Sequence, residues 1–192
     1  MTQAIIRSML STQIKEDTKD AHLQLEKIVV NHLKKVRSET DYAILLRYFY
    51  AYFTTLERTI APFVTESILA DFSTRRKADR LADDILALGE SIENLPVVKM
   101  PEINSGADAM GALYVMEGSV MGGSIIIGML QKYGITKGFE FFSGYGPATG
   151  KMWAEFIDAL NQFVNTEQQQ QAIETAKITF SNFALAFQQN RH

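Results

Sequence analysis

Histidine is scarce in this sequence, and its imidazoles are the first candidates for chemistry. They are His22, His32 and His192, and no cysteine accompanies them. His22 lies on or beside the apolar stripe of a helix predicted over residues 11–35, and His32 lies about 80° farther around that helix. An imidazole on an apolar face is either a hydrogen-bonded core residue or an axial ligand to heme iron, which needs a neutral imidazole in an apolar pocket. Spacing alone leaves both interpretations open.

Glycine inside an apolar helix is the second unusual feature. The segment 107–133 is predicted to be one helix, yet it carries Gly118, Gly122 and Gly123. Each glycine inside a helix costs about 0.5–1 kcal/mol relative to alanine, so something should require them. They either allow another helix to pack closely or leave room for a flat ligand and a diatomic molecule beside the helix. The spacing does not distinguish these alternatives.

The same segment has the length of a membrane span, which is about 20 apolar residues. However, its central Glu117 would cost roughly 2.5–3.5 kcal/mol in a bilayer, and several glycines reduce its hydropathy further. We therefore expect no membrane span. The N-terminal sequence MTQAIIRSML shows no apolar core followed by a small-residue cleavage site. We accordingly expect no signal peptide and a cytoplasmic protein.

Helices must position these residues, because the sequence shows neither a hairpin signal nor alternating strand patterns. Apolar spacing also predicts helices over residues 38–62, 75–90, 147–163 and 167–189, with a short helical stretch reaching residue 69. The aromatic side chains of the second helix are expected to lie in the core. With 192 residues, 46% of them hydrophobic, the chain is expected to form a single all-α domain over residues 1–192.

Composition excludes several classes of function. The formal net charge of −3 gives no reason to expect nucleic-acid binding. The absence of cysteine excludes disulfides, thiolate metal sites and the nucleophile of a thiaminase-like enzyme. A di-iron oxidase of helical fold typically needs Glu-x-x-His pairs, and the sequence contains none.

Two stretches far apart in the chain resemble helices of the heme oxygenase family. Residues 14–26 are similar to the family's proximal helix, L-K-E-x-T-x-x-x-H-x-x-x-E, and residues 111–123 are similar to the distal helix of short bacterial members. The resemblance covers the whole chain, weakly between these motifs. It implies an all-α fold with heme between a proximal and a distal helix. The proximal pattern is matched at Lys15, Glu16, Thr18, His22 and Glu26.

The resemblance also implies roles for individual residues. His22 would be the axial ligand of heme iron, and Glu26, one turn later, would orient its imidazole. Lys15 would lie toward a heme propionate. Tyr114 or Lys151 would replace a propionate-binding arginine that has no clear counterpart here. The catalytic wall over the distal face would consist of Gly118, Ser119, Gly122 and Gly123.

The activity implied by the resemblance is the opening of heme to biliverdin with release of CO and iron, using O2 and external electrons. Heme would be both substrate and prosthetic group, with no other bound cofactor. A ferredoxin or a flavin reductase would donate electrons, and the bilin product would serve iron acquisition or supply a phytochrome. Many members carry aspartate where this chain has Ser119. A heme carrier or sensor without turnover is therefore the alternative.

Basic residues form two clusters in the sequence. A basic cluster is either a solvated surface or a docking site for an acidic electron donor. The two clusters are Lys34, Lys35 and Arg37, and Arg75, Arg76, Lys77 and Arg80.

Overall fold

The computed structural model describes residues 9–188 of the chain, so His192 lies outside the described residues. Within them the structure has eight α-helices, short 3-10 turns and no β-strand, which confirms the predicted all-α class. The helices are α1 (Leu10–Asp17), α2 (Lys19–Leu33), α3 (Glu39–Ile60), α4 (Asp79–Ala87), α5 (Gly106–Gly118), α6 (Gly123–Lys132), α7 (Thr149–Leu160) and α8 (Thr166–Ala186).

Helix α5 packs along α8 at the centre of the molecule. Ser105 caps α5 by accepting a hydrogen bond from the Asp108 backbone N–H (3.1 Å). The Asp108 carboxylate in turn accepts a hydrogen bond from Thr175 Oγ1 of α8 (3.2 Å). Gly111 lets the two helices touch, because a Cβ at this position would overlap the backbone of Ala172. Most residues of helix α5 are buried, on every side of the helix, as its predominantly apolar composition requires.

Residues 106–132 are the only helical stretch in the described part of the chain that is long and apolar enough to cross a membrane. A buried core helix meets the same criteria, and α5 is such a helix. The segment predicted as one helix over 107–133 is also interrupted, because a 3-10 turn (Ser119–Gly122) separates α5 from α6. We call this turn the distal bend.

Helix α3 supplies aromatic side chains to the core, as its spacing predicts. The Phe49 and Phe53 rings each lie 5.0 Å from the Phe183 ring of α8. Tyr52 is fully buried, and its hydroxyl donates a hydrogen bond to the Thr179 carbonyl (2.8 Å). This satisfies the polar end of an otherwise apolar side chain.

The first predicted helix, over residues 11–35, forms two helices instead of one. Thr18 lies between α1 and α2, and its buried hydroxyl donates a hydrogen bond to the Ile14 carbonyl (2.6 Å). A threonine that bonds back in this way bends a helix. Helical hydrogen bonding resumes at once, because the His22 N–H donates to the Thr18 carbonyl (2.9 Å).

The chain between α3 and α4 is less helical than predicted. A 3-10 turn (Ala61–Phe63) follows α3, and the α-helical stretch expected to reach residue 69 does not form. Helix α4 begins at Asp79 instead of residue 75, because Arg75 has extended backbone and both Arg75 and Arg76 enter the interior. The interpretation of the second basic cluster as surface is therefore wrong for these two arginines.

Candidate functional site

Helix α2 presents His22 at the surface, beside α8. The side chain is 53% exposed, and its ring centroid lies 5.3 Å from that of Phe180. Nε2 lies 3.3 Å from Oε1 of Glu26, one turn along the helix. No group of the described residues forms a hydrogen bond with Nδ1 of His22. The imidazole thus directs one nitrogen to a carboxylate and leaves the other available to a ligand.

His32 has different surroundings on the same helix. Its ring lies 5.7 Å from that of Tyr48 and 5.2 Å from that of Phe187. It therefore packs among aromatic rings of α3 and the end of α8, away from the Phe180 contact made by His22. The sequence predicted that the two imidazoles point in different directions, and these contacts agree.

The glycines around the distal bend have two kinds of surroundings. A Cβ added at Gly122 would meet nothing within 4 Å, and one at Gly118 would meet only the Trp153 ring, at 3.7 Å. A Cβ at Gly123 would instead overlap the carbonyl of Phe142. Of the two alternatives raised by the sequence, open space therefore applies to Gly122 and close packing applies to Gly123, while a Cβ at Gly118 would make an ordinary van der Waals contact with Trp153.

Large apolar side chains are exposed on both helices near these features. Ile125 of α6 is 69% exposed and Met121 of the distal bend is 51% exposed, and α6 contacts α2. Leu23 is exposed next to His22. Helices α2 and α6 are in contact and each carries exposed apolar side chains, which a flat apolar ligand could cover. With an available imidazole nitrogen and Gly122 bordering open space, the chemistry of these residues fits heme.

Tyr114 and Trp153 form the wall beside Gly118. Their ring centroids lie 5.7 Å apart, and burial raises the pKa of the Tyr114 phenol. The sequence assigned Trp153 only to the apolar face of its helix. No sequence signal relates Trp153 to Gly118, because α5 and α7 meet only in the folded molecule.

The two lysines proposed near the propionates are both exposed. Lys15 lies on α1, on the other side of the Thr18 bend from His22, and it makes no ion pair with a described residue. Lys151 lies on α7, where its Nζ is 3.7 Å from Oε1 of Glu155.

A buried charged network lies behind the distal bend, and the sequence interpretation missed it. Arg75 Nη1 donates to Oε2 of Glu117 (2.8 Å), and Arg75 Nε donates to Oδ1 of Asp71 (2.8 Å). The Tyr145 hydroxyl lies 3.0 Å from both carboxylate oxygens of Glu117. Burial, reinforced by the Glu117 charge, raises the pKa of Tyr145 to about 12. The network anchors the last turn of α5.

Ser119 is the first residue of the distal bend, and two hydrogen bonds fix its side chain. Its Oγ donates a hydrogen bond to the Met116 carbonyl (2.6 Å) and accepts one from Nη2 of Arg76 (2.8 Å). The side chain is partly exposed. The two consecutive arginines thus have different partners, since Arg75 binds the Glu117 carboxylate and Arg76 binds Ser119 of the distal bend.

The fold and the family comparison place the protein among the all-α enzymes related to heme oxygenase. The heme oxygenase family model matches residues 8–189, and the chain belongs to this family. A heme oxygenase of Xanthomonas campestris pv. campestris (strain 8004) is 27% identical over 147 residues, which cover 74% of this chain and 86% of that relative.

Solved structures of bacterial heme oxygenases share the fold. The NO- and CO-bound enzyme from Neisseria meningitidis matches with a TM-score of 0.81 at 20% identity, covering 95% of this chain and 92% of that one. The enzyme from Leptospira interrogans matches with a TM-score of 0.73 at 16% identity, covering 94% and 98%. The family and fold inferred from the two sequence motifs are confirmed.

Proposed function

We propose that this protein opens the heme ring to biliverdin and releases CO and iron, using O2 and external electrons. His22 is the observation that carries the proposal, because a half-exposed imidazole with one nitrogen on Glu26 is prepared to ligate iron. Membership of the heme oxygenase family supports heme degradation in general. Heme is both the substrate and the prosthetic group in this proposal, and no other bound cofactor is included.

Glu26 fixes the imidazole on the proximal side. A carboxylate on one imidazole nitrogen selects the tautomer and strengthens the other nitrogen as a donor. The two side chains are both about half exposed, at 53% and 55%. Their interaction contributes little while solvent screens it, and it gains strength once a bound heme excludes water.

The distal side is proposed to act mainly through the absence of side chains at its glycines, which leaves space for ligands. Gly122 borders open space and Gly118 lies beside the Trp153 ring without a side chain of its own, so the bend can approach a flat ligand closely and leave room for a diatomic molecule. Ser119 offers a hydroxyl to a water molecule. Gly123 contributes indirectly, because it lets the Phe142 loop pack against the first residue of α6. Heme supplies the iron chemistry, and these residues shape the space beside it.

The propionates are proposed to contact Tyr114 and Lys15. Tyr114 stands beside Trp153 near Gly118, and its protonated hydroxyl is a hydrogen-bond donor. Lys15 is an exposed cation on α1 that can turn toward a carboxylate. Lys151 is the other exposed candidate on α7.

Electron delivery is proposed to use the exposed basic cluster of Lys34, Lys35 and Arg37. These three side chains are exposed, whereas Arg75 and Arg76 of the other cluster are buried. An acidic ferredoxin or a flavin reductase would be steered to such a patch. The proposed location is the cytoplasm, where the bilin product would be available to a phytochrome.

A hemin titration of three proteins tests the assignment of His22. Wild type should form a stoichiometric complex with a Soret band, His22→Ala should lose the ligand-specific spectrum, and His32→Ala should retain it. The His32 variant is the matched control because it removes an imidazole from the same helix. Equal spectra for wild type and His22→Ala would contradict the assignment.

A heme carrier or sensor is the second candidate, and Ser119 is the observation that favours it. A hydroxyl is a weaker acceptor than a carboxylate for organising water. Both candidates predict a His22-dependent complex, but only the oxygenase converts its heme to an open-chain bilin when electrons and O2 are supplied. A complex that persists under a competent reductase would favour the carrier.

A further inference from the structure

Arg76 is a buried cation in the described part of the chain for which no carboxylate lies within ion-pair distance. Its side chain is 2% exposed, and the nearby Glu117 is already bonded to Arg75. Burial lowers the pKa of Arg76 to about 10, so the guanidinium is charged at neutral pH. Burying such a charge is costly unless its hydrogen bonds compensate. The contacts of Arg76 must therefore supply that compensation.

The guanidinium of Arg76 bridges three acceptors around the distal bend. Nη1 donates to the Phe141 carbonyl (3.0 Å), and Nη2 donates to the Met116 carbonyl (2.8 Å) and to Ser119 Oγ (2.8 Å). The guanidinium carbon also lies 3.8 Å from the centroid of the Phe141 ring. Met116 lies in the last turn of α5 and Ser119 is the first residue of the bend, so one side chain holds both.

The hydrogen bonds of Ser119 determine how its hydroxyl meets a ligand. A hydroxyl has one donor and two acceptor lone pairs. The donor is used on the Met116 carbonyl (2.6 Å), and one lone pair is used by Arg76. Since the side chain is partly exposed, one lone pair remains for an outside partner. In this arrangement Ser119 offers only an acceptor, as a carboxylate would.

We propose that Arg76 is a positioning residue that orients Ser119 as a hydrogen-bond acceptor for a water molecule over the distal face of bound heme. The inference rests on the proposed heme-degrading function. The planar fork of arginine suits this task, because it reaches two carbonyls and the hydroxyl at once. A lysine would keep the charge but would not hold the three acceptors in one plane.

The test compares the ferric hemin complexes of four proteins: wild type, Arg76→Lys, Ser119→Ala and the double variant. Absorbance is followed across neutral and alkaline pH, and the midpoint of the transition reports the pKa of water at the iron. Loss of an acceptor disfavours the protonated water, so Ser119→Ala should lower the midpoint by about 0.5 unit. Arg76→Lys should lower it similarly, and the double variant should match Ser119→Ala.

Arg80→Lys is the matched control. Arg80 also donates to a backbone carbonyl, that of Gly144 (2.9 Å), but it has no hydrogen bond to the bend. Its variant should leave the midpoint unchanged. Melting temperatures of the four proteins without hemin would reveal general destabilisation, which by itself does not move the midpoint.

Three outcomes would overturn the proposal. An Arg76→Lys complex with the wild-type midpoint would show that Arg76 has only a structural role. Additive shifts in the double variant would show that Arg76 does not act through Ser119.

If Arg76→Lys does not fold, the two Ser119 variants test the acceptor role by themselves. Ser119→Thr should keep the wild-type midpoint and Ser119→Ala should lower it, and equal midpoints for these two variants would refute the acceptor role. Failure of wild type to bind hemin would instead remove the proposed function, and this inference with it.

Discussion

Gly122 and Gly123 are adjacent in the chain but have opposite surroundings. A Cβ at Gly122 would meet no atom within 4 Å, whereas one at Gly123 would overlap the Phe142 carbonyl. The first glycine keeps space open beside the distal bend. The second lets a loop touch the start of α6. Under the proposed function, the first position would serve ligand binding and the second serves folding.

Alanine substitutions at these two positions should have opposite effects. Gly122→Ala should leave the free energy of unfolding unchanged or raise it by up to about 1 kcal/mol, because alanine favours helical backbone. It should weaken hemin binding by narrowing the space. Gly123→Ala should lose about 1–3 kcal/mol of stability through overpacking. Urea unfolding and hemin titration measure the two effects.

Each glycine variant is the control for the other, because one should change stability and the other should change hemin affinity. A Gly123→Ala protein that unfolds at the wild-type urea concentration would show that the Phe142 contact is not tight. A Gly122→Ala protein with unchanged hemin affinity would show that the open space is not used.

Glu26→Gln tests the proximal carboxylate. The amide keeps the shape of the side chain but loses the charge, so we expect about tenfold weaker hemin binding, as for other partners of metal-bound histidines. Stability without hemin should change by less than about 0.5 kcal/mol, because the pair is half exposed. Hemin titration and urea unfolding check this contrast. Equal hemin affinities would contradict the orienting role of Glu26.

Glu117→Gln should be strongly destabilising. It leaves the buried Arg75 with only the partly exposed carboxylate of Asp71 as an ion-pair partner, and breaking a buried ion pair costs about 3–5 kcal/mol. Glu155→Gln is the matched control, since it breaks the exposed Lys151–Glu155 pair and should cost at most about 0.5 kcal/mol. Urea unfolding compares them, and similar losses would show that the buried network does not anchor α5.

Asp84 gives the free energy of unfolding a defined pH dependence. Its carboxylate accepts hydrogen bonds from the backbone N–H groups of Glu140 (2.8 Å) and Phe141 (2.9 Å), but burial outweighs them and raises its pKa. The folded state therefore holds this proton more tightly than the unfolded state. The resulting stability is fully present below the unfolded pKa and is lost as pH rises through the folded pKa.

Comparison of wild type with Asp84→Asn isolates this contribution. The stability advantage of wild type should grow as the pH is lowered from about 7 to about 4, as linkage requires for a raised acidic pKa. Urea midpoints at several pH values measure it. An advantage that shrinks on acidification would mean that the backbone hydrogen bonds lower the pKa of Asp84 instead.

Local spacing was sufficient to predict part of this molecule. The aromatic residues of α3 recur with the helical period, so their burial around Phe49 and Tyr52 followed from the pattern. The spacing of His22 and Glu26 is likewise a property of one helix, and the structure places them in contact. In both cases the interacting groups lie within one turn or on one face.

Features that depend on distant parts of the chain were not predictable. The distal bend involves Arg76 and the Phe141 carbonyl, which come from two other segments. The run of basic residues at 75–77 indicated a surface, because the sequence does not show that hydrogen-bond acceptors in the interior compensate the charges of two of them. The role of Gly123 was equally hidden, since the carbonyl that it accommodates belongs to Phe142.

We propose above all that this protein cleaves heme bound through His22. The most direct measurement is a single turnover of the purified hemin complex with a reductant in air, with the bilin identified by chromatography and CO collected by a ferrous globin. We expect loss of the Soret band, formation of biliverdin and CO in equal amounts, and no such conversion by His22→Ala. Heme recovered intact from the wild-type protein, or equal conversion by His22→Ala, would contradict it.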